Sequence, residues 1–565
     1  MNENQNLYFE LGLSLMDANK TDDALKAYKQ AIESEPEHAA ARYQIATILS
    51  KRRQYYEAKT LLKEIVEIDP KFPWSYYELG NIHVLINEPQ EAANCYKKLI
   101  EIAPEYAWSY YKLAEILLAD GKQGEALELY KIVIEKQPNS PWVHAKIADI
   151  LHQNDNTAEA AEFYRQAGSL LKSQGKLAQA ESMFRKSINL GADCDDIYFS
   201  LGNTLVDQGK IYEAISIYKQ AVNIYPSHSG YYCLAEAFKK NGQIEAAIDA
   251  YKKAVTYDDP KKYWTYNLLA ETLFDSGKRN ESYSYYQQSA IDHVVKVKPD
   301  LEQIDWHGYK PTGPDFIIIG VAKTASTSLF MYLNKHPNIL PPVVKEPMFF
   351  SKEYKRGLDW YLSQFPPTTP REEFITGEGS INYIVNRYAP QRIYKTFPKT
   401  KLILMLREPV SRTISDYYMW QREGWEKRSL EDAILFELEK LKDVEPEDFV
   451  SGNHWRYPDE WGLGTGYILR SLYLYHLQRW RQIFPEEQFL ILQTEDLAAK
   501  PEEVLSETFD FLGVSEYKLP EYKQYNKGVY QHNTWLEKEL AAFFKPHNQL
   551  LEDYLGYKLA WNSNG

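Results

Sequence analysis

The chain has 565 residues, 44% of them hydrophobic and 25% charged, a composition typical of soluble globular proteins with several domains. Its net charge of −14 argues against general nucleic-acid binding, although a local basic pocket could still hold a small anion. Three widely spaced cysteines form no CxxC pair, which argues against a disulfide framework or a zinc site. We find no signal-peptide pattern and no apolar run of about 18 residues, so we expect a cytoplasmic protein without a membrane span.

The first 290 residues repeat one pattern with a period of 34 residues. Each copy has a large apolar residue before a small one, then alanine, aromatic and proline positions; the first copy has Leu11, Gly12, Ala24, Tyr28, Ala31 and Pro36. Several later copies repeat the tyrosine, at Tyr96, Tyr130, Tyr218 and Tyr251. A period of this length predicts paired helices, with each pair packed on the next.

These copies resemble the tetratricopeptide (TPR) repeat. The resemblance implies an all-α superhelix of about eight to nine repeats over residues 1–295, whose concave face binds a protein partner. A rigid spacer or an oligomerisation element is the alternative interpretation. The copy near residues 144–190 is irregular, because two matching pairs follow each other after only 20 residues, at Ala160/Tyr164 and Ala180/Phe184. This spacing predicts an extra or shortened helix.

Residues 296–313 are predicted to be a linker, because they contain prolines and glycines and have no helical period. The second domain is expected over residues 314–565. It opens with FIII at 316–319, a short continuous apolar run that is typical of a buried strand in a parallel sheet.

The stretch FIIIGVAKTASTSLFMYL, residues 316–333, predicts a strand, a short polar loop and a helix. The free backbone N–H groups at the start of such a helix favour an anion, and a phosphate or sulfate group suits them. Further donors come from the side chains of Lys323, Thr324, Ser326, Thr327 and Ser328. The loop lacks the GK[ST] triplet of the nucleotide-triphosphate P-loop, which disfavours a nucleotide kinase. Taken alone, the loop could also be a capped turn without a ligand.

Three stretches of the second domain resemble sulfotransferase motifs in the family's order. KTASTSL, 323–329, is similar to the 5′-phosphosulfate loop K-x-G-T-[ST]-x-L. REPVSRTISDY, 407–417, is similar to the 3′-phosphate motif and contains Arg407 and Ser415. The segment from Arg470 to the EDL at 495–497 is similar to a late family segment. The resemblance covers about residues 314–560 and implies a P-loop-like α/β domain with a central parallel sheet.

The resemblance implies transfer of a sulfuryl group from 3′-phosphoadenosine 5′-phosphosulfate (PAPS) to a hydroxyl or amine acceptor, without a metal. Lys323 is expected to stabilise the leaving oxygen. The PAPS-binding set that it implies is Lys323, Thr324, Ala325, Ser326, Thr327, Ser328, Arg407, Ser415 and Arg470. A TPR adaptor with a degenerate nucleotide-binding domain is the alternative from another functional class.

A base must accept the proton of the acceptor. The candidates are Glu346, Glu378, His336, His454 and His532. The segment KEPMFF, 345–350, resembles the K-E-P-x-F-F segment of heparan-sulfate-type carbohydrate sulfotransferases, whose Glu is the proposed base. The resemblance therefore favours Glu346 and a carbohydrate acceptor, while a protein tyrosine remains the alternative acceptor. His336 is expected to end the first helix of the domain.

The chain departs from the family pattern at three positions. Ala325 replaces the loop glycine, where the backbone is tight. Ser351 replaces an acidic residue that often follows KEPxFF. Gly379 stands where relatives commonly have a lysine that helps to bind donor or acceptor, so the acceptor chemistry is open.

Overall fold

The computed structural model describes residues 3–562 except 192–193, 307, 369–373, 443, 446–447, 449, 451–465 and 524–532. The chain forms two compact units, Met1–Pro226 and Ser227–Gly565. The first unit is an array of paired helices. The second contains further helices of the same kind and an α/β domain, so the predicted fold class is confirmed.

The helices of the first unit pair through a small residue on one helix and an aromatic ring on the other. A Cβ added at Gly12, Gly80 or Gly202 would overlap the ring of Tyr28, Tyr96 or Tyr218, respectively. The bounds are α1 Glu3–Asp17, α2 Thr21–Ser34, α3 Ala39–Lys51, α4 Tyr55–Ile68, α5 Pro73–Leu85, α6 Pro89–Ile102, α7 Ala107–Ala119, α8 Gln123–Lys136, α9 Pro141–Gln153, α10 Thr157–Ser173, α11 Leu177–Asn189, α12 Asp195–Asp207 and α13 Ile211–Ile224. The close approach explains why the repeat requires glycine or alanine at these positions.

The irregular copy contains an extra helix, as predicted. Helix α10 has 17 residues and packs on both α9 and α11. Towards α9 it presents Tyr164, whose hydroxyl donates to Asp149. Towards α11 it presents Gly168, against which Phe184 packs. One helix thus closes one pair and opens the next, which produces the spacing of 20 residues.

The second unit begins with four helices, α14 His228–Lys240, α15 Ile244–Ala254, α16 Lys262–Asp275 and α17 Arg279–Val297. Helices α16 and α17 share a hydrophobic core with the α/β domain, since Phe274 and Tyr286 belong to the same buried cluster as Trp360. The indole N–H of Trp360 donates to the Tyr286 hydroxyl at 3.1 Å. Arg356 adds ion pairs to Glu271 at 2.7 Å and to Asp275 at 3.0 Å.

A parallel sheet of five strands forms the centre of the α/β domain, in the order β2-β3-β1-β4-β5. The strands are β1 Phe316–Gly320, β2 Ile339–Leu340, β3 Ile375–Glu378, β4 Lys401–Leu406 and β5 Phe489–Gln493. Ile318 pairs with Ile403 and Leu402 with Phe489 in register. Strand β1 is fully buried, as its apolar run predicts.

Helices cover the sheet on both faces, and each face has its own buried apolar cluster. They are α18 Ser326–Leu333, α19 Leu358–Leu362, α20 Ala389–Thr396, α21 Pro409–Arg422, α22 Leu430–Leu441, α23 Tyr473–Arg481, α24 Thr494–Ala499, α25 Pro501–Leu512 and α26 Thr534–Leu555. Short 3₁₀ turns lie at Pro299–Leu301, Tyr354–Arg356, Leu469–Ser471, Glu486–Gln488 and Ala560–Asn562. Strands β2 and β3 lie on one side of β1 in the sheet, and β4 and β5 lie on the other. The carboxyl ends of β1 and β4 therefore form the switch point where open α/β sheets bind ligands.

Candidate active site

The polar loop joins β1 to α18 at this switch point. Lys323 and Ala325 both have left-handed backbone conformations, with φ of 72° and 58°. These two residues turn the chain so that α18 begins at Ser326. Arg407, the residue after β4, donates from Nη1 to the Lys323 carbonyl at 3.0 Å. The two strand ends are thereby tied together beside the N-terminus of α18.

A cleft of about 640 Å³ opens at this point. It brings together most of the predicted site residues, which come from four separate parts of the sequence: Lys323, Ala325, Ser326, Thr327, Ser328, Glu346, Arg407, Ser415 and Arg470. Among the other residues that line it are Asp416 and Trp420. Hydroxyls, guanidinium groups and the N-terminus of α18 favour an anionic ligand with more than one phosphate-like group.

Thr324 differs from its neighbours in the loop. Its side chain is buried, and its hydroxyl donates to the Val321 carbonyl at 2.6 Å. The hydroxyl thus stabilises the turn of the loop from within. It does not belong to the residues that line the cleft.

Arg470 is held by a buried carboxylate that the sequence analysis did not single out. Asp416 accepts from Arg470 at 2.8 Å and from Arg412 at 3.1 Å. Burial opposes the charged form, but the two guanidinium groups outweigh it, so the pKa of Asp416 is lowered. Arg412 also donates to the Ala322 carbonyl at 3.1 Å, which connects the loop between β1 and α18 to helix α21. The aspartate follows Ser415 directly, but no local pattern reveals a partner 54 residues away.

Glu346 faces the cleft from the loop after β2. Its carboxylate pairs with Lys345 Nζ at 2.8 Å, and the same Nζ donates to Thr327 Oγ1 at 2.9 Å. The Glu346 side chain is 26% exposed, so a solute in the cleft can reach it. Lys345 is a second residue that the sequence analysis missed, although it stands beside the predicted base.

Glu378 is fully buried and does not line the cleft. It accepts from the hydroxyls of Tyr361 at 2.5 Å and Tyr383 at 3.2 Å, and from that of Ser380. Burial raises the pKa of Glu378 to about 7 against the opposing effect of these hydrogen bonds, and nearby Glu346 adds to the rise. This environment fits a structural role for Glu378, because Ser380 and Tyr383, which donate to it, also accept backbone N–H groups of the loop that carries Glu346.

Among the described residues, no candidate histidine is placed to act as the base instead of Glu346. His336 follows α18, and its backbone N–H donates to the Leu333 carbonyl at 2.9 Å. Its ring is buried, with Nε2 2.7 Å from the Ser515 carbonyl and Nδ1 accepting from Asn338 N–H at 3.1 Å. Burial lowers the pKa of His336. His454 and His532 lie outside the described residues.

The described residues contain neither a candidate membrane span nor a candidate metal cluster. No helix there is both long and apolar enough to cross a bilayer. No group of three or more His, Cys, Asp or Glu side chains in that part of the chain is arranged to hold a metal ion.

Comparisons with known proteins agree with this geometry. A family model described as a sulfotransferase domain matches residues 313–535. The heparan sulfate glucosamine 3-O-sulfotransferase 5 of Homo sapiens is 30% identical over 303 residues, which cover 49% of this chain and 82% of that protein. The chain belongs to the sulfotransferase family.

Membership of this family confirms the predicted enzyme class, a sulfotransferase that uses PAPS as co-substrate. A further relative, the membrane-associated sulfotransferase kil1 of Dictyostelium discoideum, is 29% identical over 44% of this chain and 67% of its own length. A solved sulfotransferase from Alicyclobacillus acidocaldarius is 29% identical over 44% of this chain and 97% of its own, with a TM-score of 0.36.

The helical array also matches known families. Tetratricopeptide repeat models match residues 15–79, 75–106, 95–128, 195–228 and 229–260. The predicted combination of a TPR array with a sulfotransferase domain is thus confirmed.

Proposed function

We propose that this sulfotransferase transfers the sulfuryl group of PAPS to a hydroxyl or amine of a carbohydrate. The observation that carries the proposal is the convergence of the Lys323-containing loop, two arginines and Glu346 on one cleft. We refer to the loop 322–328 with Arg407, Ser415 and Arg470 as the donor side. The loop 345–350, which contains Glu346, is the acceptor side.

On the donor side, the two ends of the nucleotide would meet separate groups. The N-terminus of α18 and the hydroxyls of Ser326, Thr327 and Ser328 suit the 5′-phosphate. Arg407, Ser415 and Arg470 suit the 3′-phosphate, because guanidinium groups bind phosphate oxygens with two parallel hydrogen bonds. Lys323 would neutralise the charge that grows on the bridging oxygen as the sulfur departs.

On the acceptor side, Glu346 would act as the general base. As the acceptor oxygen or nitrogen attacks sulfur, the S–O bond to the donor phosphate breaks and its electron pair stays with the phosphate. The acceptor proton passes to the Glu346 carboxylate. Its partial exposure in the cleft, in contrast to the full burial of Glu378, supports this assignment.

The TPR array would recruit a protein partner. Three exposed tryptophans of the first unit, Trp74, Trp108 and Trp142, recur at intervals of 34 residues in successive repeats. Trp108 and Trp142 stack at 5.3 Å between ring centres. A partly exposed aromatic surface of this kind supports docking of another polypeptide.

Replacement of Glu346 by Gln tests the proposed reaction. We expect turnover to fall by about 10²–10⁴-fold, because a positioned base contributes on that scale. Binding of 3′-phosphoadenosine 5′-phosphate (PAP), measured by calorimetry, should stay within about twofold. Glu353→Gln, in the neighbouring turn, is the matched control. Wild-type-like turnover of Glu346→Gln would refute the assignment and bring His454 and His532 forward.

Labelling of cell extract with ³⁵S-PAPS tests the acceptor class. We expect label in material that resists proteases and is degraded by polysaccharide lyases. Sulfated tyrosine after proteolysis would instead support the protein acceptor. PAP binding without labelling of any acceptor would support the TPR adaptor.

A further inference from the structure

Lys345 fills the space beside Gly379. A Cβ added to Gly379 would lie 3.3 Å from Lys345 Cε and 3.7 Å from Lys345 Cγ. The backbone N–H of Gly379 donates to the Lys345 carbonyl at 2.8 Å, so the two residues are also fixed to each other through the main chain. The aliphatic part of Lys345 therefore passes across the place where a side chain at position 379 would begin.

The ammonium group of Lys345 ends between the two sides of the cleft. It lies 2.9 Å from Thr327 Oγ1 on the donor side and 2.8 Å from Glu346 Oε1 on the acceptor side. Thr327 is the second residue of α18, where the helix N-terminus attracts anions. A cation at this point is adjacent both to the predicted anion site at the start of α18 and to the proposed base.

The loop that carries Lys345 is anchored a few residues further on. The backbone N–H of Met348 donates to Ser380 Oγ at 3.1 Å, and that of Phe350 donates to the Tyr383 hydroxyl at 3.2 Å. Both acceptors belong to the segment that follows β3. These contacts fix where the Lys345 side chain starts, and its ammonium group ends beside Thr327 and Glu346, two residues that line the cleft.

We propose that Lys345 is a second cation of the reaction centre, which contacts the transferred sulfuryl group and balances the charge of Glu346 in place of a lysine at position 379. The inference rests on the proposed sulfuryl transfer. When the acceptor proton reaches Glu346, the carboxylate becomes neutral and Lys345 loses its ionic partner. Its charge then acts on the sulfuryl oxygens beside Thr327 while the S–O bond to the phosphate breaks.

Nucleotide binding without an acceptor provides a test that needs no turnover. PAP and PAPS differ by the sulfuryl group, and only PAPS reaches Lys345. In Lys345→Ala, we expect the Kd for PAP to stay within about twofold and the Kd for PAPS to rise about 10-fold, the scale of one charged hydrogen bond. Lys352→Ala, at an exposed lysine two residues after the loop 345–350, should change neither value. An unchanged ratio of the two Kd values in Lys345→Ala would overturn the sulfuryl contact.

A rescue experiment separates a charge effect from a structural one. Lys345→Ala should lower kcat by about 10²-fold, as expected for loss of one transition-state contact. The double variant Lys345→Ala/Gly379→Lys should recover at least a tenth of wild-type kcat, since it restores a cation once the Lys345 stem no longer fills the space. Gly379→Lys alone should not exceed wild type.

The outcomes distinguish this inference from the proposed function. Active wild-type protein with an inactive Glu346→Gln variant and an unaffected Lys345→Ala variant would refute the role of Lys345 alone. Wild-type protein that binds PAP and PAPS but labels no acceptor would refute the reaction, while the ratio of Kd values would still decide the sulfuryl contact. Failure of the double variant to recover kcat, with PAP binding intact, would refute the substitution for position 379.

Discussion

The donor side and the acceptor side of the cleft are stabilised by different chemistry. On the donor side, a buried ionic bridge through Asp416 holds Arg412 and Arg470 in place. On the acceptor side, hydroxyl groups surround Glu378 and also accept backbone N–H groups of the loop 345–350. The donor side must keep a fixed positive charge for a nucleotide. The acceptor side carries Glu346, whose charge changes during the proposed reaction, while the hydroxyls around Glu378 hold the backbone of its loop through hydrogen bonds that do not involve the Glu346 carboxylate.

Removal of the bridging carboxylate should have the largest effect. Asp416→Asn leaves two buried guanidinium groups without their anion, and breaking a buried pair of this kind costs about 3–5 kcal/mol of unfolding free energy. Urea denaturation measures the loss, and PAP binding should weaken with it because Arg470 loses its anchor. Asp510→Asn, at an exposed position, is the control. Unchanged stability of Asp416→Asn would show that the donor side does not depend on this bridge.

The pH dependence of the unfolding free energy tests the buried Glu378 that supports the acceptor side. The pKa of Glu378 rises from 4.5 to about 7 in the folded chain, so the folded state holds this proton more tightly than the unfolded state does. The associated stability is present below pH 4.5 and is lost as the pH rises through 7. Relative to Glu378→Gln, wild-type protein should lose up to roughly 3 kcal/mol of unfolding free energy between pH 4.5 and 7.5.

Denaturation curves at several pH values measure this difference, and Glu423→Gln, at an exposed position, is the control. Parallel pH profiles for wild type and Glu378→Gln would contradict the raised pKa. Such a result would also remove the contrast between the ionic bridge that supports the donor side and the hydrogen bonds around Glu378 that support the acceptor side.

Arg407→Ala should weaken nucleotide binding on the donor side, and it also removes the contact with the Lys323 carbonyl. Hydrogen bonds between charged groups contribute about 1.5–3 kcal/mol, so the Kd for PAP should rise about 10–100-fold. Calorimetry measures the Kd for PAP, and Arg422→Ala, at the exposed last residue of α21, is the control. Equal PAP affinity in both variants would exclude Arg407 from the nucleotide site.

The smallest predicted effect concerns the loop backbone. Ala325 has φ of 58°, a conformation that costs an L-residue roughly 1–2 kcal/mol and glycine much less. Ala325→Gly should therefore raise the unfolding free energy by up to about 1 kcal/mol, as measured by denaturation. Ala322→Gly, at a neighbouring position outside the left-handed region, should lower it. A loss of stability in Ala325→Gly would contradict the strain.

The donor side was largely predictable because its residues lie in short contiguous motifs. The sequence predicted the strand, the loop, the helix and the residues Arg407, Ser415 and Arg470 that line the cleft. It did not predict that the Thr324 hydroxyl turns inwards to Val321, because this depends on the two left-handed residues around it. Local motifs thus revealed the groups of the donor side, but not the turn that orients them.

The supporting residues were not predictable from any single stretch. Asp416 bridges two arginines that are far apart in sequence, and Lys345 is placed by its backbone contact with Gly379. In the helical array, by contrast, the 34-residue period predicted the small residues and the tyrosines, and the break in that period predicted an extra or shortened helix. Periodic packing is repeated locally, whereas these polar contacts arise only after the strands have come together.

The shared core of α16 and α17 with the α/β domain has a consequence for where the chain can be divided. A protein that starts at residue 310 would contain every sulfotransferase motif, yet it would leave Trp360 without Tyr286 and Arg356 without Glu271. A protein that starts at Ser227 keeps these contacts. The last repeats therefore complete the hydrophobic core of the enzyme domain, and we expect exchange of repeats between homologous proteins to succeed upstream of that point.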